Sequence, residues 1–164
     1  MSEHEKNTAP DGYHSVNAYL TVRDVQELID FLHHTFAGVV TEQIVQPDGR
    51  IEHAEIRIGD TLIMVGPPEV DSLIRAGEQT RPGTFYVFVA DVDRTYHKAM
   101  EHGASSYMLP TDMFYGDRVA AVVDANDNVW WIAHREIALN RRQLQARADE
   151  HWQRKHPGRD REPD

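Results

Sequence analysis

Hydrophobic and polar residues alternate with period two over several short stretches of the chain, interrupted twice by runs of helical period. In "SVNAYLTV", Ser15–Val22, the residues Ala18, Leu20 and Val22 fall on one side of a strand and Asn17, Tyr19 and Thr21 on the other. Asp24 stands where a helix N-cap is needed. Val25, Leu28, Ile29, Leu32 and Phe36 then recur at helical spacing up to Gly38, a helix stop. "VVTEQIVQ" predicts a second strand and "PDG", Pro47–Gly49, a hairpin turn. In "RIEHAEIRI", Ala54, Ile56 and Ile58 alternate with His53, Glu55 and Arg57. Gly59 and Asp60 then turn the chain into "TLIMVG". The order is β-α-β-β-β.

After a polar stretch rich in Pro and Gly the same order returns. "GTFYVFVA" predicts a strand, Asp91 caps a helix ending at Gly103, and "SSYMLPTDMFY", interrupted by Pro110, reads as an irregular edge strand. "DRVAAVVD" and "VWWIA" complete the second unit. The repeat is legible in the letters. "AYLTVRDV" aligns with "FYVFVADV", which matches Tyr19 with Tyr86 and Asp24 with Asp91; the same offset sets Met64 opposite Trp131 and His53 opposite Ala120. The expected architecture is α+β: two tandem β-α-β-β-β modules forming a curved mixed sheet cup, plus a C-terminal helix. The divisions are a disordered lead-in at 1–14, a first module at 15–66, a linker at 67–82 with one helical turn in "VDSLIRAG", and a second module at 83–135. A helix at 136–153 follows, with Ile137, Leu144, Ala148 and Trp152 as a thin apolar stripe, then a disordered tail at 154–164.

Helices on one side leave a mixed aromatic and polar face on the other: Asn17, Tyr19, His53, Glu55, Arg57, Met64, Thr84, Tyr86 and Trp131. A mixed concave face suits a ligand cup; a solvent-exposed or dimer-facing sheet would carry the same letters. In "DANDNVWWIAHR" the acidic and amide residues Asp124, Asn126 and Asn128 mimic half of a calcium loop. Val129 and Arg135 stand where that loop needs Gly and Glu, so the segment reads as a turn, with Trp130 in the core and Trp131 on the cup face.

The composition narrows the partners. A net charge of −10 opposes binding to a phosphate backbone, and no run approaches the roughly 20 apolar residues of a membrane span. Zero cysteines exclude disulfides and thiolate metal sites and fit a cytoplasmic protein, and "MSEHEKNTAPDG" has no apolar h-region of a secretory signal.

The segments "YLTVRDVQELIDFL", "DGRIEHAEIRIGDTLIMV", "YVFVADVD" and "MFYGDRVAAVVDANDNVWWIAH", in this order, resemble the vicinal oxygen chelate superfamily of glyoxalase I, bleomycin-resistance proteins and extradiol dioxygenases. The likeness is greatest to its small PhnB-like branch. The resemblance implies metal ligands from the first and fourth strands of each module. Here those positions hold Asn17, Met64, Thr84 and Trp131, a poor donor set for a hard or borderline cation, so no metal and no other cofactor is expected. The expected function is a metal-free cup for a small, aromatic or cationic molecule. Its contacts would come from Asn17, Tyr19, His53, Glu55, Met64, Thr84, Tyr86, Phe114, Arg118 and Trp131. One alternative is an enzyme of lyase, isomerase or dioxygenase type using His53 and Glu55 as an acid–base pair, with or without a divalent metal. Another is a structural or regulatory dimer module. A homodimer is expected, and the sequence leaves open whether modules pair within one chain or by exchange across two.

Overall fold

The computed structural model describes residues 9–68 and 80–158; the expected helical turn in "VDSLIRAG" falls outside the described residues. The elements run β1 (Ala18–Thr21), α1 (Val25–Phe36), β2 (Val39–Val45), β3 (Ile51–Ile58), β4 (Thr61–Gly66), β5 (Thr84–Phe88), α2 (Val92–Glu101), β6 (Ser105–Asp112), β7 (Asp117–Val123), β8 (Val129–Arg135) and α3 (Arg141–Lys155). They make two four-stranded mixed sheets, β1-β4-β3-β2 and β5-β8-β7-β6, matching the tandem modules and the additional helix. In each sheet the first strand pairs parallel with the last and the other pairings are antiparallel.

Both module helices start as the sequence dictates. The Asp24 carboxylate accepts from the backbone N–H of Glu27, and the Asp91 carboxylate from that of Arg94, both at 2.9 Å. The end of α1 differs from expectation. The left-handed residue is Ala37, φ 56°, not Gly38. Gly38 is required for space: a Cβ there would meet Ile56 Cγ2 at 3.0 Å and the Leu32 carbonyl oxygen at 3.1 Å.

One core joins the modules. Leu20, Leu28, Leu32, Ile56 and Val65 from the first are contiguous with Tyr96, Ala120, Val122, Trp130 and Ile132 from the second. Trp130, fully buried, lies between them, its ring 4.6 Å from Phe85, 5.4 Å from Phe36 and 6.3 Å from Phe31. Truncating such a side chain typically costs about 3–5 kcal/mol. Since the shared core lies on the helix-covered sides, the opposite face of each sheet is turned away from it.

The "DANDN" segment does more than reverse the chain. Asp124, Asn126 and Asn128 are all buried. Asp124 accepts from the backbone N–H groups of Asn126 and Asn128, from Asn128 Nδ2 and from Trp130 Nε1, at 2.8–3.0 Å. Asn126 exchanges two hydrogen bonds with the backbone of Asp24, and Asn128 accepts from Gly83 N–H. Arg23 adds an exposed ion pair to Asp127. The β7–β8 turn is thus a polar staple between the modules, with Asp127 taking the left-handed conformation, φ 67°, that Asp tolerates.

Two expectations need correction. The single repeat offset fails in the third strands. Tyr19/Tyr86 and Met64/Trp131 do match at 67 residues, but the partner of Met64 is Glu55 and that of Trp131 is Ala121, 66 residues on. The β7–β8 turn is longer than Gly59–Asp60, and the difference shifts β7 by one residue, so His53 is not equivalent to Ala120. Secondly, the last helix begins at Arg141, where Asn140 and Gln143 form a reciprocal capping box. Ile137 lies before it: the backbone N–H groups of Glu136 and Ile137 both donate to the Gly116 carbonyl, which fixes a bend at the exit from β8.

Candidate functional site

The two outward sheet faces carry the candidate residues. On the first, the ladder places Tyr19 beside Met64 and Met64 beside Glu55, while the alternation of β3 adds His53. Tyr19 and His53 stack with centroids 5.9 Å apart and planes at 29°. Glu55 is only 6% exposed, its Oε1 lies 3.5 Å from His53 Nε2, and its Oε2 accepts the Tyr13 hydroxyl at 2.6 Å. That bond, first, and the surrounding carboxylates raise the Tyr13 phenol above its usual pKa. Among the described residues no Lys or Arg forms an ion pair with Glu55; Arg57 instead donates to the Gly12 carbonyl. Asn17 stands just before β1 with its amide engaged at both ends, accepting from His14 N–H and donating to His14 C=O.

On the second face Tyr86 lies beside Trp131, with Thr84 exposed two residues before it. Tyr107, from β6, stands edge-on to Trp131 at 6.0 Å, and Phe88 stands edge-on to Tyr86 at 5.4 Å. Asp117, 3% exposed, is paired with Arg135 at 2.8 Å and accepts the Tyr86 hydroxyl at 3.3 Å. Burial, followed by the bond with Tyr115 and the Asp117 charge, pushes the Tyr86 phenol far above its ordinary pKa. Each face therefore carries a buried carboxylate addressed by a tyrosine. The difference is that Asp117 has a guanidinium partner and Glu55, among the described residues, does not.

Two expected contacts lie elsewhere. Arg118 occupies the helix side of β7, its guanidinium held by Asp93 of α2 at 2.6 and 2.8 Å and by Asp112 at 2.7 Å. Phe114, in the β6–β7 turn, stacks on His151 of α3 at 4.6 Å. The face residues that sequence reasoning passed over are Tyr13, Tyr107 and Arg135. Tyr13 sits in what reads as a lead-in, and only the fold-back onto β3 shows its role.

The donor set at the four positions of the implied metal site does not fit a divalent cation. Met64 and Trp131 offer a thioether and an indole, and the Asn17 amide is already bonded. Among the described residues no group of three or more His, Asp or Glu side chains is arranged to hold one. A cavity of about 590 Å³ opens between Thr35 and Phe36 of α1, Ile58 and Ile63, and the β5 edge, where Tyr86 and Phe88 also border it. It is mainly apolar, and it shares none of the charged groups of the two outward faces.

Comparison with known proteins places this geometry. Residues 12–132 match the model of the Glyoxalase/Bleomycin resistance protein/Dioxygenase superfamily. An uncharacterized protein of Mycobacterium bovis is 27% identical over 138 residues, 80% of this chain and 90% of its own. An uncharacterized Mycobacterium tuberculosis protein is also 27% identical, with 80% and 81% covered. Among solved structures, TioX from Micromonospora sp. ML1 is similar with a TM-score of 0.57 at 25% identity, over 76% of this chain and 98% of that one. A glyoxalase-related enzyme from Fulvimarina pelagi reaches 0.58 at 13% identity, over 73% and 86%, a likeness of fold.

Proposed function

The chain belongs to the glyoxalase/bleomycin resistance protein/dioxygenase superfamily, and on that premise we propose that it is a metal-free binder of a small aromatic or cationic molecule. The reading places it among the PhnB-like members and in the cytoplasm, and has it act as a homodimer. The observation that carries it is the exposure of large aromatic side chains on the outward faces: Tyr19, Tyr86, Phe88 and Tyr107 all lie open, on the faces that also hold the buried carboxylates Glu55 and Asp117. Among the described residues these rings stay exposed, whereas α1 and α2 pack on the opposite, core side of the sheets. A cup therefore forms when the first-module face of one copy meets the second-module face of another, stacking walls on both sides of a flat guest. A chain of net charge −10 favours a cationic guest.

A second reading rests on Glu55 and His53. A carboxylate this buried, with an imidazole at 3.5 Å, is a candidate acid–base pair for isomerase or lyase chemistry. Light scattering and a thermal-shift screen of planar cations and small oxo-acids separate the readings. The binder predicts twice the chain mass and cation-dependent stabilisation. A monomer, or stabilisation by oxo-acids with turnover lost in Glu55→Gln, refutes it. Stoichiometric metal in protein purified without chelators refutes the metal-free part.

A further inference from the structure

The lead-in offers a clue to the ligand itself. Residues Pro10 to Tyr13 form a turn closed by Tyr13 N–H on the Pro10 carbonyl at 3.0 Å, with Gly12 at φ 87°. The turn aims the Tyr13 phenol at the first-module face, where its hydroxyl meets Glu55 at 2.6 Å. The strap lies at the surface, outside the sheet. Val16 is 86% exposed, and Arg57 reaches the Gly12 carbonyl only at 3.3–3.4 Å. Glu55, by contrast, is built in: it lies mid-strand, 6% exposed, and the Tyr19–His53 stack stands on the same face. A buried carboxylate that meets no Lys or Arg among the described residues requires donors, and Tyr13 supplies one from a surface turn outside the sheet.

We infer that Tyr13 is an internal surrogate for the ligand, its phenol occupying the place on Glu55 where the ligand sets a flat ring bearing an O–H or N–H donor. This rests on the reading of the first-module face as a ligand wall and adds the ligand's chemistry and its competitor. The ligand class is a phenol, or an aryl amine or amidine, with its ring against Tyr19 and His53 and its donor on Glu55. The cationic members bind more tightly, since a charge-assisted hydrogen bond to a carboxylate is stronger than a neutral one. The strap must leave Glu55 before the ligand binds, so apparent affinity is reduced by the fraction of molecules in which Tyr13 is docked.

The test is calorimetric titration of p-cresol and of benzamidine into the full chain and its Tyr13→Phe and Tyr13→Ala variants. Tyr13 belongs to the strap rather than the core, so both variants fold, which their melting temperatures check. Both probes bind Tyr13→Ala about three- to tenfold more tightly than the native chain, with Tyr13→Phe between. Adding Glu55→Gln to Tyr13→Ala abolishes the gain, and more completely for benzamidine. In the native chain, p-cresol raises amide exchange across residues 10–17. Equal affinity for the native chain and Tyr13→Ala, or no binding to Tyr13→Ala, overturns the inference. Equal affinity that is nevertheless lost in Trp131→Ala overturns only the role of Tyr13 and leaves the cup standing. A monomeric chain in light scattering removes the cup reading independently of either titration.

Discussion

Replacing Asp124 with Ala removes one buried carboxylate and leaves four donors facing it: two backbone N–H groups, the Asn128 amide and the Trp130 indole. A buried donor without a partner costs about 1–3 kcal/mol. The backbone groups sit in a turn that relaxes toward water, so the four do not add in full. A loss of roughly 3–5 kcal/mol follows, a large share of the 5–15 kcal/mol typical of a domain. For a chain of this length that corresponds to a fall in Tm of roughly 6–20 °C. Asp124→Asn keeps the shape but turns one acceptor into a donor, so it falls between Asp124→Ala and the native chain. The assay is urea unfolding followed by tryptophan fluorescence, in which Trp130 reports directly because its indole N–H loses its acceptor. Asn126→Ala, which loses only the two bonds to Asp24, is the milder control and loosens the contact between modules. A loss below about 1 kcal/mol for Asp124→Ala refutes the staple.

Other consequences are open to measurement. Gly116→Ala loses roughly 2–4 kcal/mol in the same unfolding assay, because a Cβ there strikes the Ile137 carbonyl and φ of 94° strains any side chain; a neutral result contradicts the geometry of the exit from β8. Arg118→Ala leaves ligand binding unchanged, since its guanidinium faces α2, while calorimetric titration of a hit against it would show otherwise if Arg118 lined the cup. The Arg118 hydrogen bonds hold the Asp93 carboxyl below the usual carboxylate value, so the stability this pair adds is fully present above about pH 4 and is lost as pH falls through the depressed value. Thermal melts from pH 6 to pH 2 therefore show the gap between native and Arg118→Ala closing toward acid, and a gap that widens there refutes the assignment. Gly66→Ala displaces the Tyr19 hydroxyl, which lies 2.5 Å from the added Cβ, and crowds the Glu52 carbonyl at 3.1 Å, so it lowers Tm and weakens, in calorimetric titration, any ligand stacked on Tyr19.

How much of this was legible in the letters depended on whether a residue's role was local or set by register. The two modules, their capped helices and the outward placement of Tyr19, Tyr86 and Trp131 follow from alternation and N-cap chemistry, which act over a few residues. Arg118 was misplaced because the face of β7 depends on the length of the β7–β8 turn, and a one-residue shift inverts every side chain. Asp124, Asn126 and Asn128 were legible as a turn, but not as a buried link to Asp24, since that contact spans about a hundred residues of sequence. Tyr13 carries no periodic signal at all; its place is set by long-range contacts, its own bond to Glu55 and that of Arg57 to the Gly12 carbonyl. The spacing of Ile137 to Leu144 is helical, whereas the Gly116 carbonyl holds Ile137 in a bend before the helix.

Guests bind either the outward faces or the apolar cavity beside α1. For the compound that most stabilises the native chain in the thermal-shift screen, calorimetric titration into Trp131→Ala and into Phe36→Ala decides between them. Trp131 marks the second-module face, and Phe36 lines the cavity. Binding on the outward faces predicts affinity lost about tenfold or more in Trp131→Ala and retained in Phe36→Ala. Affinity retained in Trp131→Ala and lost in Phe36→Ala would contradict it.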